Sequence, residues 1–250
     1  LLALTAPAPA QDRLPPDRPP QGIRAFVAAY PDHLVGIEGG VLRWRDGTRM
    51  PLAALGLGRD GQPLRRQAKP APDPLVAATE AISAVDYEPI YLKMYGDCRK
   101  RGLGDRLTTV RWNRAAAEGA VELPAARANG VAAALQRVSD ALYAGSGKGP
   151  AFHRATGGTY NCRNVAGTNG LSLHGFGIAI DVAPNEEGYW QTADTDRKGR
   201  PIRRNHMPPA VVEAFEREGV VWGGRWNRFD TFHFEYRPEY RIATGGPLPD

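Results

Sequence analysis

No stretch of this 250-residue chain approaches the ~18 consecutive apolar residues of a membrane-crossing helix, so the sequence predicts no membrane span. No internal repeat is evident, and the length suits one medium domain with a substantial core plus appendages. Basic residues outnumber acidic ones 32 to 27, for a net charge of +5 and a pI near 9.4. They are scattered, however, and no nucleic-acid motif accompanies them, which removes nucleic acid as a partner. The balance suits an anionic polymer or a membrane surface instead. Cysteine is scarce, with only Cys98 and Cys162. In an oxidising compartment they can pair, closing a loop of about 65 residues worth ~4 kcal/mol in the chain-entropy model. The numbering has no initiating Met. Leu1 to Ala10 (LLALTAPAPA) reads as the tail of a secretory signal with small residues at a cleavage site, or else as an alanine/proline-rich disordered tail.

Histidine is also scarce, at five residues, and two of the five fall in chemically loaded segments. One is Ser172-Leu-His-Gly-Phe-Gly-Ile-Ala-Ile-Asp181. The other is Asp230-Thr-Phe-His233-Phe-Glu235. Together they offer His174, Asp181 and His233 as metal ligands, with a spare carboxylate nearby. A catalytic zinc needs that inventory: three protein ligands, an open fourth position and a base. From Gly177 onward small or polar residues alternate with branched apolar ones, which predicts a strand with Ile178, Ile180 and Val182 facing the core. Asp181 then shares the open face with Gly177 and Ala179. In the second segment Phe232, Phe234 and Tyr236 alternate with Thr231, His233 and Glu235, placing His233 towards the same site. Asp230 falls on the wrong face of a regular strand, so it must sit at the strand entrance. It serves as the general base or merely caps a turn. Glu235, on the side of His233, orients that ligand or is itself the base. His33, His153 and His206 read as structural; His206, in a loop before a helix, can at most touch substrate. Cys162 is a bridge partner, a buried thiol or a zinc ligand, but the ligand set is complete without it.

These segments resemble the SxHxxGxAxD and (D/E)xxH signatures of the zinc D-Ala-D-Ala carboxypeptidase family, which includes D,D-dipeptidases of vancomycin resistance and phage endolysin peptidases. The resemblance extends over residues 22–240 through Tyr87-Glu-Pro, Lys93-Met-Tyr-Gly96, Gly157-Gly-Thr-Tyr-Asn-Cys-Arg163 and Trp222-Gly-Gly-Arg-Trp226. It implies an α+β fold of the DD-peptidase type, one Zn²⁺ per chain, and hydrolysis of peptidoglycan stem peptides. The expected activity is that of a D-alanyl-D-alanine carboxypeptidase; the alternatives are an endopeptidase cutting cross-links or L-Ala-D-Glu bonds, or a non-catalytic zinc-stabilised wall-binding module. The family commonly binds a substrate carboxylate with an arginine upstream of the motif, a place that Arg163 occupies. A guanidinium fork suits bidentate capture, although Arg163 is otherwise just an exposed residue beside a cysteine. Ser172 matches the motif serine and binds substrate or a ligand, or stabilises the turn. The chain departs from the D,D-dipeptidases in carrying Asp230 where they have Glu. Peptidoglycan or its muropeptides are the expected partners of a monomeric enzyme in the periplasm or outside the cell.

The sequence divides into a signal remnant and proline-rich tether (1–21), a small N-terminal element and loop (22–75), a catalytic domain (76–243) and a tail (244–250). Within these, helices are predicted at Ile23–Tyr30, Ala77–Val85, Asn129–Ala144 and Pro208–Glu218, and a hairpin over Leu34–Leu52 turning at Gly39-Gly40. Gly56–Pro74 reads as a loop. Strands are predicted at Thr108–Trp112, Thr159–Arg163, Ile178–Val182, Val220–Trp222 and Phe232–Tyr236, most of them forming one mainly antiparallel sheet with helices on one side.

Overall fold

The alternation of core-facing and site-facing residues is realised in a four-stranded antiparallel sheet. Its strand order is β6 (Thr156–Gly158), β7 (Ala179–Val182), β9 (His233–Tyr236) and β8 (Val220–Trp222). This is a computed structural model of the chain, and it describes residues 22–62, 64, 87–113, 120–144, 156–184 and 188–246. The expected signal segment and tether, the helix over Ala77–Val85, His153, most of the loop ending at Pro74 and the end of the tail lie outside the described residues.

In the central pair of strands Ile180 faces Phe234, and Asp181 faces His233. Directly opposed residues on antiparallel strands share a face, so this register sends one pair to the core and the next to the site. Ile180 and Phe234 are fully buried, and the Phe234 ring stacks on Phe215 at 4.0 Å between centroids. Phe215 belongs to the helix Pro209–Arg217, where Val211, Val212 and Phe215 form the inward stripe. Proline at the start of that helix and a left-handed Gly219 (φ 72°) after it fix its two ends.

The helix Val131–Tyr143 buries Val131, Ala134, Leu135 and Val138 at helical spacing. It lies against β4 (Leu107–Trp112), which pairs in register with β5 (Val121–Ala126) as a separate two-stranded sheet. Trp112 joins the two layers, lying edge-on to Tyr143 and stacked on Phe215. The helix starts at Val131 rather than Asn129, because Asn129 (φ 58°) and Gly130 (φ 74°) form a left-handed turn before it.

Ahead of this region, α1 (Ile23–Ala29) precedes a three-stranded meander of β1 (Leu34–Glu38), β2 (Val41–Trp44) and β3 (Arg49–Pro51). The Gly39-Gly40 turn (φ 59° and 79°) supplies the hairpin bend. The helix α1 packs on α6 (Pro238–Ala243), and Phe26 and Tyr30 meet Tyr91 of α2 (Glu88–Tyr95) at ring-centroid distances of 6.2 and 6.4 Å. Ile23, Phe26, Leu42 and Leu52 therefore sit in the same hydrophobic core as Ile180 and Phe234. A single turn, α3 (Cys98–Arg101), is capped by the Asp97 carboxylate, which accepts from Arg99 N–H at 3.1 Å. The helices Val131–Tyr143 and Pro209–Arg217 are α4 and α5.

The α+β class holds, with two differences of detail. Three sheets form among the described residues: the expected N-terminal hairpin gains a third strand, β3, and β4 pairs with β5 apart from the β6–β9 ladder. The first strand of that ladder is Thr156–Gly158, not Thr159–Arg163. The backbone of the expected strand is committed elsewhere: the Thr159 carbonyl faces His174 Nδ1, and Asn161 N–H donates to the His174 carbonyl.

Candidate metal centre

His174 lies on a single 3-10 turn, Leu173–Phe176, that ends in a left-handed Gly177 (φ 69°). A Cβ at Gly177 would come within 2.8 Å of Leu107 Cδ2 and 3.1 Å of Ala126 N, so only glycine lets this turn sit against β4 and β5. The turn folds His174 back over β7, towards Asp181. On the other side, a Cβ on Gly157 would lie 2.9 Å from Asp181 Cβ. The bare backbone there leaves the carboxylate its position. Asp181 then faces His233 across the sheet.

His174, Asp181 and His233 thus converge. His174 Nε2, Asp181 Oδ1 and His233 Nδ1 form a triangle with sides of 3.2, 3.2 and 2.8 Å. A tetrahedral zinc with arms of about 2.0–2.1 Å spaces its ligand atoms roughly 3.3–3.4 Å apart. The triangle needs to open by only a few tenths of an ångström, so the three groups fit such an ion. The tautomers agree with this. His174 Nδ1 is 3.1 Å from the Thr159 carbonyl and His233 Nε2 is 3.0 Å from Glu235 Oε1. Both oxygens can only accept, so each of those nitrogens carries a proton, and the opposite nitrogen is the one turned into the triangle, where it serves as a ligand once free of its own proton.

The groups of the triangle shift one another's protonation. Burial works to raise the Asp181 carboxyl, but hydrogen bonds from His174 and His233 hold it well below the usual carboxylate range. Burial would likewise lower His233, yet hydrogen bonds to Asp181 and Glu235 and the charges of both carboxylates raise it to about 10. Glu235 is buried and still held below its ordinary value, because His233 and Arg237 outweigh the desolvation. Glu235 is thus engaged by His233 through Oε1 and by Arg237 through Oε2.

Asp230 stands at the strand entrance. Its carbonyl accepts from His233 N–H at 3.3 Å, closing a turn through Thr231 and Phe232, and the residue bridges to Tyr189. That turn cancels the alternation of an extended strand and brings position 230 round towards His233. Asp230 Oδ1 is buried and without a hydrogen-bond partner among the described residues. Burial, partly offset by the positive charge of His233 and reinforced by Asp181, lifts this carboxyl to about 6.

The remaining expected residues lie around this centre. Cys98 and Cys162 are bridged, with Cα atoms 5.8 Å apart. Arg163 is exposed; its carbonyl accepts from Ser172 N–H, and its guanidinium has no acidic partner among the described residues. Ser172 is buried and opens the His174 turn, but its hydroxyl makes no capping bond; its carbonyl accepts from Gly175 N–H instead. His33 and His206 are not part of the cluster. Sequence reasoning missed the Thr159 carbonyl, and it missed Arg237 and Glu239 behind Glu235. The second omission had a signal: His233, Glu235 and Arg237 continue one period-two series, with three charged or polar groups inside an aromatic run.

Residues 166–236 match the model of a peptidase family described as D-alanyl-D-alanine carboxypeptidase. The match takes in His174, Asp181, Asp230, His233 and Glu235 and leaves out Arg163. None of the curated proteins and none of the solved structures compared with the chain matches it.

Proposed function

Because residues 166–236 carry the sequence pattern of that peptidase family, we propose that this chain is a zinc metallopeptidase acting on peptidoglycan stem peptides as a D-alanyl-D-alanine carboxypeptidase. The observation that carries the reading is the pairing of a three-atom ligand triangle with a buried, unpartnered carboxylate oxygen on Asp230. A wall-binding module that kept zinc for stability needs the triangle but not that carboxylate.

The ion, when bound, supplies Lewis acidity that polarises a peptide carbonyl and acidifies a water. Asp230 takes the proton of the attacking water on Oδ1 and hands it to the leaving amine. A carboxyl lifted to about 6 is matched to proton transfer near neutrality. A dication beside it would favour its charged, basic form at pH 7. His174 and His233 are held in one tautomer each by Thr159 and Glu235, so no ring rotation is needed at the moment of reaction. Arg163, exposed and hydrogen-bonded through its carbonyl to Ser172 N–H just before the His174 turn, captures the terminal carboxylate of the D-Ala residue. The disulfide fits an oxidising compartment, in keeping with a periplasmic or secreted monomer that meets the wall directly.

Incubating purified sacculi and their muropeptides with the zinc-loaded protein, and identifying products by mass spectrometry, tests the reading. Loss of the terminal D-Ala is expected. Cut cross-links or L-Ala-D-Glu bonds would make the enzyme an endopeptidase, and unchanged material with zinc bound would make it a binder.

A further inference from the structure

Behind the ligand triangle lies a second polar layer, of which the proposed chemistry uses only Glu235. Glu235 divides its two oxygens: Oε1 meets His233 Nε2 at 3.0 Å, and Oε2 accepts from Arg237 Nη1 at 3.2 Å. Arg237 Nε donates in turn to Glu239 Oε1. Glu239 is also held by two tyrosines: Tyr91 OH donates to Oε1 at 2.8 Å and Tyr30 OH to Oε2 at 2.9 Å. Glu235, Arg237 and Glu239 are 8 %, 2 % and 0 % exposed, so this chain of contacts runs almost entirely out of water. The guanidinium lies over the rings of Tyr87 and Tyr240, 4.3 and 4.6 Å from their centroids, which fixes its plane as well as its donors.

Burying three charges is a poor way to stabilise a fold. Desolvation offsets most of the attraction, and apolar residues of similar volume do as well or better. What such a group does supply is direction, because every carboxylate oxygen of Glu235 and Glu239 faces a fixed donor, even though Arg237 Nη2 is left buried without a hydrogen-bond partner among the described residues. Here the directed series ends on a ligand nitrogen. Moreover, Tyr30 follows α1, so the N-terminal element reaches the metal centre through one hydroxyl.

We propose that Arg237, Glu239, Tyr91 and Tyr30 are positioning residues of the metal centre. They lock Glu235 against Nε2 of His233 and keep Nδ1 aimed into the triangle. The N-terminal element is thereby part of the centre rather than a cover over it. This rests on the metal reading given above.

The test compares the wild-type protein with Glu239→Gln, Tyr30→Phe and Tyr91→Phe. It measures the dissociation constants for Zn²⁺ and Co²⁺, the visible absorption of the cobalt form, and melting temperatures with and without metal. Glu239→Gln keeps the shape but removes the charge opposite Arg237. It is expected to raise the zinc dissociation constant about tenfold, the lower end for outer-shell partners of metal ligands. It should also shift the cobalt bands and shrink the melting-temperature gain on metal binding. Each tyrosine variant should act in the same direction by about threefold, within the range for residues that modulate a site without touching its ligand. If Glu239→Gln does not fold, the two hydroxyl deletions decide the matter. Equal losses of melting temperature with and without metal, at unchanged affinity and cobalt spectrum, would make these residues merely structural and overturn the inference. A wild-type protein that binds neither ion overturns the metal reading itself, a distinguishable result.

Discussion

Metal capture by this centre should be coupled to one proton. His233 is raised to about 10 by Asp181 and Glu235 in spite of its burial, so between pH 7 and 9 the metal-free protein carries an imidazolium there. Nε2 keeps its hydrogen for Glu235, and the proton that must leave is the one on Nδ1, the triangle atom. Affinity should therefore rise tenfold per pH unit, about 1.4 kcal/mol each, and about 100-fold from pH 7 to 9. The slope should flatten above about 10. Asp181, held below the carboxylate range, is ionised throughout and adds no slope. Competition against a chelating dye, corrected for the protonation of the dye and the hydrolysis of the ion, gives the slope. Calorimetry in two buffers of different ionisation enthalpy counts the proton released. Stability should show the same coupling. A histidine raised above its unfolded value of 6.5 contributes fully below that pH and loses the contribution as pH climbs towards 10. The metal-free protein should melt lower at pH 9 than at pH 7, and the metal-loaded protein much less so. A pH-independent affinity with no proton released would refute this account of His233.

Replacing Asp230 with Asn should leave one zinc per chain, by metal analysis, while turnover falls at least ~100-fold; full activity in that variant would remove Asp230 as the base. Reducing the Cys98–Cys162 bridge frees a loop spanning 64 positions. The chain-entropy model puts that at about 4 kcal/mol, a drop of roughly 8–16 °C in melting temperature, readable by scanning fluorimetry with and without reductant. Phe234→Ala empties the stack on Phe215 and should cost about 3–5 kcal/mol in denaturant unfolding.

The parts of the centre that could be read from sequence are those set by short-range alternation. Asp181 and His233 face each other because each follows a strict period of two beside core residues Ile180 and Phe234. Asp230 broke that period, and the need for an irregular entrance was legible before the turn from Asp230 to His233 was seen. Two kinds of feature were not. The segment at Thr159–Arg163 looks like a strand locally, but its backbone bonds are claimed by a turn more than ten residues later. The contact of Tyr30 with Glu239 joins positions 209 residues apart, and nothing around either residue specifies the other. Arg237 continues the period-two series of His233 and Glu235, but no local pattern specifies its enclosure by Tyr87 and Tyr240.

That 209-residue separation also bears on how the protein comes into being. At ~5–20 residues per second, a ribosome delivers α1 roughly 10–40 s before the helix it packs on. For that interval α1 has no α6 to pack on, and Tyr30 lacks the Glu239 carboxylate it donates to. The fold therefore cannot be completed from the N-terminus forward. Among the described residues α1 completes its packing only when α6 arrives, and a chaperone that holds nascent or translocating chains would find part of its apolar face uncovered until then.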